Sequence, residues 1–239
     1  MPDYVMIGHS GRLGDYLDII HALGGQIKKI VVNSPDRTDP AGRSFATRLE
    51  AYNGWRRKWG TDTDVVVQEL KEFSPADGEK YFLGFSGLGQ IAMRNYLTSK
   101  WGIELESLVH PTASVSPMSE LGAGCVVNAG CLVASEVSVG QLSWLARGAT
   151  IGHDTSIDEC AFVAPGVNLA SAVRIGRAAN IGIGANVLEY LSLGEQCYVA
   201  GGALVLKDVA PFSLVAGVPA KLKKMLEPKV FPELPGGVS

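Results

Sequence analysis

The chain has 239 residues, 46% of them hydrophobic and 19% charged, with a formal charge of −3. That composition suits a soluble globular chain with one large or two modest domains, and it provides no basic field for nucleic acid or an anionic membrane. No run of 18 apolar residues marks a transmembrane helix, and the opening MPDYVMIGHSGRLG lacks the grammar of a signal peptide, so a cytoplasmic protein with no membrane or nucleic-acid partner is expected.

Residues 1–105 read as alternating strands and helices. Tyr4 to Ile7 predicts a short strand that runs into Gly8-His9-Ser10-Gly11-Arg12-Leu13-Gly14. A helix follows with Leu13, Leu17, Ile20 and Leu23 on one face, stopped by Gly24-Gly25. Further strands are expected at Gln26 to Asn33, Asp64 to Gln68 and Lys80 to Phe85, and a second helix from Leu88 to about Lys100. This order predicts a parallel sheet with crossover helices. The glycine turn after the first strand is not the dinucleotide pattern. Free amides at the start of the helix would nevertheless suit a phosphate, with Arg12 adding charge and Ser10 a hydroxyl donor.

A polar insert, 34–62, separates the second and third strands. Its cluster Trp55-Arg56-Arg57-Lys58-Trp59 is either a phosphate contact or, as favoured here, a solvated helix face with two packed tryptophans.

From Val109 to Val205 an aliphatic residue stands at every sixth position, and four residues after each stands a small or aliphatic one. A short fixed period marks a solenoid, and a six-residue apolar repeat cannot serve a helix, whose stripe recurs at three and four. Short strands joined by tight turns satisfy it, with three units per triangular coil and coils stacked at the spacing of paired strands. The phase sorts side chains. It turns Cys125, Cys131 and Cys197 inward, with Cys160 next to an inward position, and it turns His153 outward from the buried Ile151. The repeat ends after Asp208. Residues 211–239 then form a cap and tail, with the basic run at 220–224 read as a terminal cap or short helix and the tail as extended.

The hexads, HPTASVSP, IGHD, SLGEQCYVAGGALVLKDV and AGVPAK, in that order after a small Rossmann-like domain opening with GHSGRLG, carry a resemblance. The chain resembles the hexapeptide-repeat acyltransferases, and within them the nucleotide-sugar N-acetyltransferases and sialic acid O-acetyltransferase-like proteins of bacterial surface-glycan biosynthesis. The resemblance implies a Rossmann-like α/β domain (1–105), an all-β left-handed parallel β-helix (106–210), a homotrimer, and acetyl-CoA as co-substrate with no metal. It also implies His153 as general base, Asp154 orienting its imidazole, and a backbone amide at Ser171 meeting the acetyl oxygen. Gly182, Ile183, Gly201 and Gly202 would lie against the pantetheine arm, and Lys221 near the CoA phosphates. Gly8, Ser10, Gly11, Arg12 and Asn33 would hold a nucleotide sugar.

The chain departs from its relatives in two places. Leu145-Ala146-Arg147-Gly148-Ala149 replaces a segment that often carries asparagine, and Phe162 stands where some relatives have a second histidine. Three alternatives to N-acetylation remain. One is O-acetylation of a sugar or sialic acid. Another is a non-catalytic trimeric scaffold. The third, a zinc hydratase, is disfavoured because zinc needs three histidines and the repeat supplies one.

Overall fold

A computed structural model describes residues 1–33, 38, 41–61 and 63–230. The chain begins with a four-stranded parallel sheet built from β1 (Asp3–Ile7), β2 (Gln26–Val32), β3 (Val66–Glu69) and β4 (Lys80–Leu83), in the order β3-β2-β1-β4. β1 and β4 are buried almost throughout, as both faces of a parallel sheet must be. The helix α1 (Leu13–Ala22) buries Leu13, Tyr16, Ile19 and Ile20 on one side. The helix α3 (Gly89–Trp101) buries Ile91, Met93 and Leu97 on the other and ends at Gly102 with φ 66°.

The third predicted strand begins two residues later than expected. The 34–62 insert contains the crossover helix α2 (Phe45–Lys58), whose start is capped by Ser44 Oγ accepting from Thr47 N–H at 3.1 Å. Positions 34–37, 39, 40 and 62 of the insert lie outside the described residues. Within the WRRKW cluster, Trp55 and Trp59 are about half exposed. Trp59 stacks on His21 at 4.2 Å, and Lys58 lies 4.4 Å from the Trp55 ring. Arg56 turns inward and donates to Ile27 O at 2.6 Å. The helix face and the packing of Trp59 agree with the favoured reading, but Arg56, 3% exposed, is not part of a solvated face.

From Leu108 the chain winds into a triangular prism of seventeen two-residue strands, β5 (Leu108–Val109) to β21 (Leu204–Val205). Each strand from β5 to β18 pairs in parallel with the one 18 residues on, as in Trp144↔Phe162 and Thr150↔Asn168. Three hexads make a coil because three strands and three corners close the triangle. The aliphatic and small positions of every hexad form one continuous core from Cys125 to Val215. Together the strands build the parallel β-helix that the hexad period and the resemblance led one to expect. The first face also takes up β22 (Ser213–Ala216) and β23 (Lys221–Met225). The basic run expected as a cap or short helix is therefore a strand. Gly217 (φ 105°) turns the chain back so that its amides pair with the open edge of β22 instead of with themselves.

The corners differ. Between the first and second faces the left-handed residue is always glycine: Gly130, Gly148, Gly166, Gly184 and Gly202. Between the second and third faces it is Glu136, Asp154, Ala172 or Tyr190, and between the third and first Gly124 once and then Leu142, Cys160, Ala178 or Gln196. A side chain at positive φ costs about 1–2 kcal/mol, so these two corners hold side chains at a cost that the glycine corner avoids.

The N-terminal domain sits on the first face. Tyr16 meets Trp144 edge-on at 5.1 Å, Asp15 is paired with Arg147, and Arg94 is paired with Glu159 at 2.7 Å. All four cysteines are buried thiols, and burial pushes Cys160 and Cys197 up to about 12.

Candidate functional site

His153 stands on the corner between the second and third faces, with its side chain 59% exposed. Ile151 two residues earlier is buried at 2%, and it is the turn at His153-Asp154, with Asp154 at φ 58°, that lifts the imidazole off the strand and outside. Its Nδ1 lies 2.6 Å from Asp154 Oδ2. The contact is close because Asp154 takes up φ 58°, a conformation Asp tolerates better than most residues. Hydrogen bonds from His153 and then from Glu136 hold the Asp154 carboxyl below its usual range. A carboxylate on Nδ1 selects the tautomer that leaves the Nε2 lone pair free, the form a general base needs.

Ser171 lies one coil further along the same corner. Ala172 N–H donates to His153 O at 2.8 Å, while the Ser171 amide takes no part in the coil-to-coil hydrogen bonds.

Gly182, Ile183, Gly201 and Gly202 lie on the glycine corner, separated from His153 by the width of the second face. Gly182 has a structural reason of its own. A Cβ there would come within 2.6 Å of Gly201 N on the next coil. Ile183 is 64% exposed. Lys221 is an exposed residue of β23.

At the other end of the molecule, Gly8, Ser10, Gly11, Arg12 and Asn33 gather at the carboxyl edge of the four-stranded sheet. A Cβ on Gly8 (φ 74°) would stand 2.5 Å from Phe85 and 3.5 Å from Asn33 Oδ1. The start of α1 has no side-chain cap, and the strand order reverses at β1/β4, the crevice where open parallel sheets bind ligands. Arg12 bridges that crevice: it donates to Ser86 Oγ, and its guanidinium lies 4.5 Å from the Phe162 ring and 5.4 Å from Trp144.

The crevice opens into a groove of about 670 Å³ on the first face. Its floor holds Phe162, Asn180 and Tyr198, and Ser86 and Gln90 stand on its domain side. Apart from Phe162, which was noted only as a missing histidine, these residues escaped the sequence reading. A signal was present, since Trp144, Phe162, Asn180 and Tyr198 recur at intervals of 18 in one phase of the hexad.

Within one chain, then, the two halves of the expected site do not meet. His153, Asp154 and Ser171 share one corner, and the crevice and its groove lie on the face opposite that corner. Among the described residues no three His, Cys, Asp or Glu side chains converge on a possible metal position, and no helix is long and apolar enough to cross a membrane.

No protein-family model and no curated protein sequence matches the chain. Solved structures do. A histidine-to-asparagine variant of perosamine N-acetyltransferase from Caulobacter crescentus, in complex with CoA and GDP-perosamine, is 25% identical with a TM-score of 0.73, over 93% of this chain and 97% of that one. PerB from the same organism, with the same two ligands, is 26% identical with a TM-score of 0.71 over the same shares. The acetyltransferase domain of PglB from Neisseria gonorrhoeae, 22% identical with a TM-score of 0.74 over 93% of this chain and 100% of that one, shares the fold.

Proposed function

We propose that this chain, a hexapeptide-repeat acyltransferase of the nucleotide-sugar acetyltransferase family, moves the acetyl group of acetyl-CoA to the amino group of a nucleotide-linked amino-deoxy sugar, with His153 as the general base. The observation that carries the reading is the His153–Asp154 pair. It is a solvent-facing imidazole with Nδ1 bound to a carboxylate at 2.6 Å, next to an uncommitted amide on the following coil.

The step balances as follows. The acceptor nitrogen attacks the thioester carbonyl, a C–N bond forms, and the carbonyl oxygen becomes an oxyanion that the Ser171 amide meets. Nε2 of His153 takes the proton from nitrogen. Collapse breaks the C–S bond, and the proton passes to the CoA thiolate. A positioned base contributes about 10²–10⁴ in rate. Acetyl-CoA would lie extended between the His153 corner of one copy and the glycine corner of its neighbour, where Gly182, Ile183, Gly201 and Gly202 present backbone. Lys221 would stand near its phosphates. The nucleotide sugar would sit at Gly8, Ser10, Gly11, Arg12 and Asn33.

A second copy is part of this reading. Leu132, Leu188 and Leu206 on the second face, with Ile183 and Tyr190 on its two corners, are exposed apolar side chains, at 42–79%. Such a patch marks an association surface, and it borders His153. Threefold closure through this face brings the base of one chain toward the groove of the next, which one chain cannot do by itself. A homotrimer is the expected solution state.

The test is thiol release from acetyl-CoA with UDP-, GDP- and dTDP-linked amino sugars and with free sialic acid. His153→Asn should lose turnover by about 10²–10⁴ while keeping its sedimentation behaviour and its affinity for CoA. Near wild-type turnover in that variant removes His153 from the chemistry. Transfer to sialic acid but to none of the amino-sugar nucleotides would make the enzyme an O-acetyltransferase.

A further inference from the structure

One groove feature lies beyond what a nucleotide diphosphate requires. The outward residues of the first face form a straight column, paired strand by strand: Phe162↔Asn180, Asn180↔Tyr198, Tyr198↔Leu214, Leu214↔Lys224. Four strand spacings make the column about 19 Å long. At one end Arg12 lies over Phe162 beside the β1/β4 crevice. At the other, the segment after β23 turns alongside the column and forms the far wall. Gln196 pins that wall, accepting from Lys229 N–H at 2.7 Å and donating from Nε2 to Lys229 O at 3.2 Å.

The groove is charged at both ends and neutral between. Arg12 stands at the crevice end, while Lys224, Lys229 and one carboxylate, Glu227, stand at the far end. Three cations to one anion contrasts with a chain whose formal charge is −3. The neutral stretch offers the Asn180 amide and the Tyr198 hydroxyl, and neither makes a side-chain hydrogen bond among the described residues. A diphosphate held at the uncapped start of α1 accounts for the Arg12 end. It leaves Lys224 and Lys229 at the far end with the single carboxylate of Glu227 and no substrate anion. Between them lies room for one pyranose ring over polar groups suited to its hydroxyls.

We propose that the preferred acceptor is a nucleotide-linked amino sugar that carries a carboxylate on its ring, an amino-uronic acid, and that Lys224 and Lys229 bind that carboxylate. The inference rests on the acyl-transfer reading and deepens it. The diphosphate lies at the crevice, the ring on Asn180 and Tyr198, and the carboxylate at the lysine wall.

The experiment compares matched acceptors, with the same nucleotide and amino sugar and C6 as carboxylate or as hydroxymethyl, by thiol release from acetyl-CoA. A charge-assisted contact predicts a kcat/KM ratio of about 10–100 in favour of the uronate. In Lys224→Gln/Lys229→Gln the ratio should fall to near one, and in Lys224→Glu below one. Both positions are exposed, and a thermal melt checks that the variants fold. Equal use of the two acceptors by the wild type overturns the proposal. So does a double variant whose only defect is a raised KM for acetyl-CoA, since the wall would then serve the cofactor. If no acceptor of either kind releases thiol, acyl transfer itself fails and the proposal falls with it, an outcome distinct from transfer without preference.

Discussion

Asp154→Asn isolates the charge on the His153 partner from everything else at that corner. Asp154 sits at φ 58°, and asparagine is the other common residue that tolerates this conformation, whereas alanine would add about 1–2 kcal/mol of backbone strain. The side chain is half exposed, so the variant leaves the core intact and its melting temperature should move by no more than a degree or two. Asparagine can still accept from Nδ1–H through Oδ1, which preserves the tautomer. What it loses is the negative charge beside the imidazolium that forms as the proton arrives. Removing such an orienting partner typically costs about 10–100-fold, so kcat should fall by that factor with KM for acetyl-CoA little changed. The assay is steady-state thiol release at saturating acceptor, alongside His153→Asn. His153 and Glu136 hold the Asp154 carboxyl below its usual range, so in the wild type this group stays ionised through mildly acidic pH. Its protonation therefore does not set the acid limb of the pH–rate profile. A variant with kcat within twofold of wild type would refute the assignment of Asp154. A variant that melts well below wild type would show that the carboxylate serves the fold.

Three further predictions concern the frame that holds the site. Gly140→Ala places a Cβ 2.5 Å from Glu159 N, a backbone atom of the next coil that cannot step aside; overpacking of this kind costs about 1–3 kcal/mol, to be read as a lowered denaturation midpoint. Trp144 is 3% exposed and joins the two domains through Tyr16 and Phe162; Trp144→Ala should cost about 3–5 kcal/mol and, in chemical denaturation, separate the melting of the N-terminal domain from that of the prism. Burial pushes the Glu79 carboxyl up, but hydrogen bonds from Tyr81 and Lys29 outweigh it and the net shift is downward. A depressed carboxyl stabilises the fold above its unfolded value and loses that contribution as pH falls through the folded one. Glu79→Gln should therefore narrow the gap to wild type below pH 4 and show its full cost at neutral pH; a gap independent of pH would contradict the ion pair.

The prism was legible because its rule is local and repeated. Every inward position from Val127 to Val205 is set by a six-residue period, and misplacing one hexad would expose an aliphatic side chain on every coil. The same phase turned His153 outward and retired Cys125, Cys131 and Cys197. The helix α2 was harder to see. Only the Trp55–Trp59 cluster reads as a helix face, because the burial of α2 depends on Arg56 turning under the domain toward Ile27 and the polar composition before it carries no apolar stripe. The basic run at 220–224 misled for a related reason: a strand at an existing edge needs no periodicity of its own, because β22 supplies its hydrogen-bond partners. Arg12 was expected to face a phosphate, yet its guanidinium also lies over Phe162, 150 residues away in the chain.

The sequence by itself determined the coil, its core and the outward imidazole, since each follows from a period that adjacent residues enforce. Only the tertiary structure decided where the first domain settles on the prism. It settles over the first face through Trp144, Arg147 and Glu159, which leaves the apolar second face open and puts the groove and His153 on opposite sides. That choice depends on contacts between residues more than 60 positions apart, such as Arg94 with Glu159. No local period encodes contacts of that kind, so the separation of the groove from His153 within one chain becomes visible only once the chain is folded.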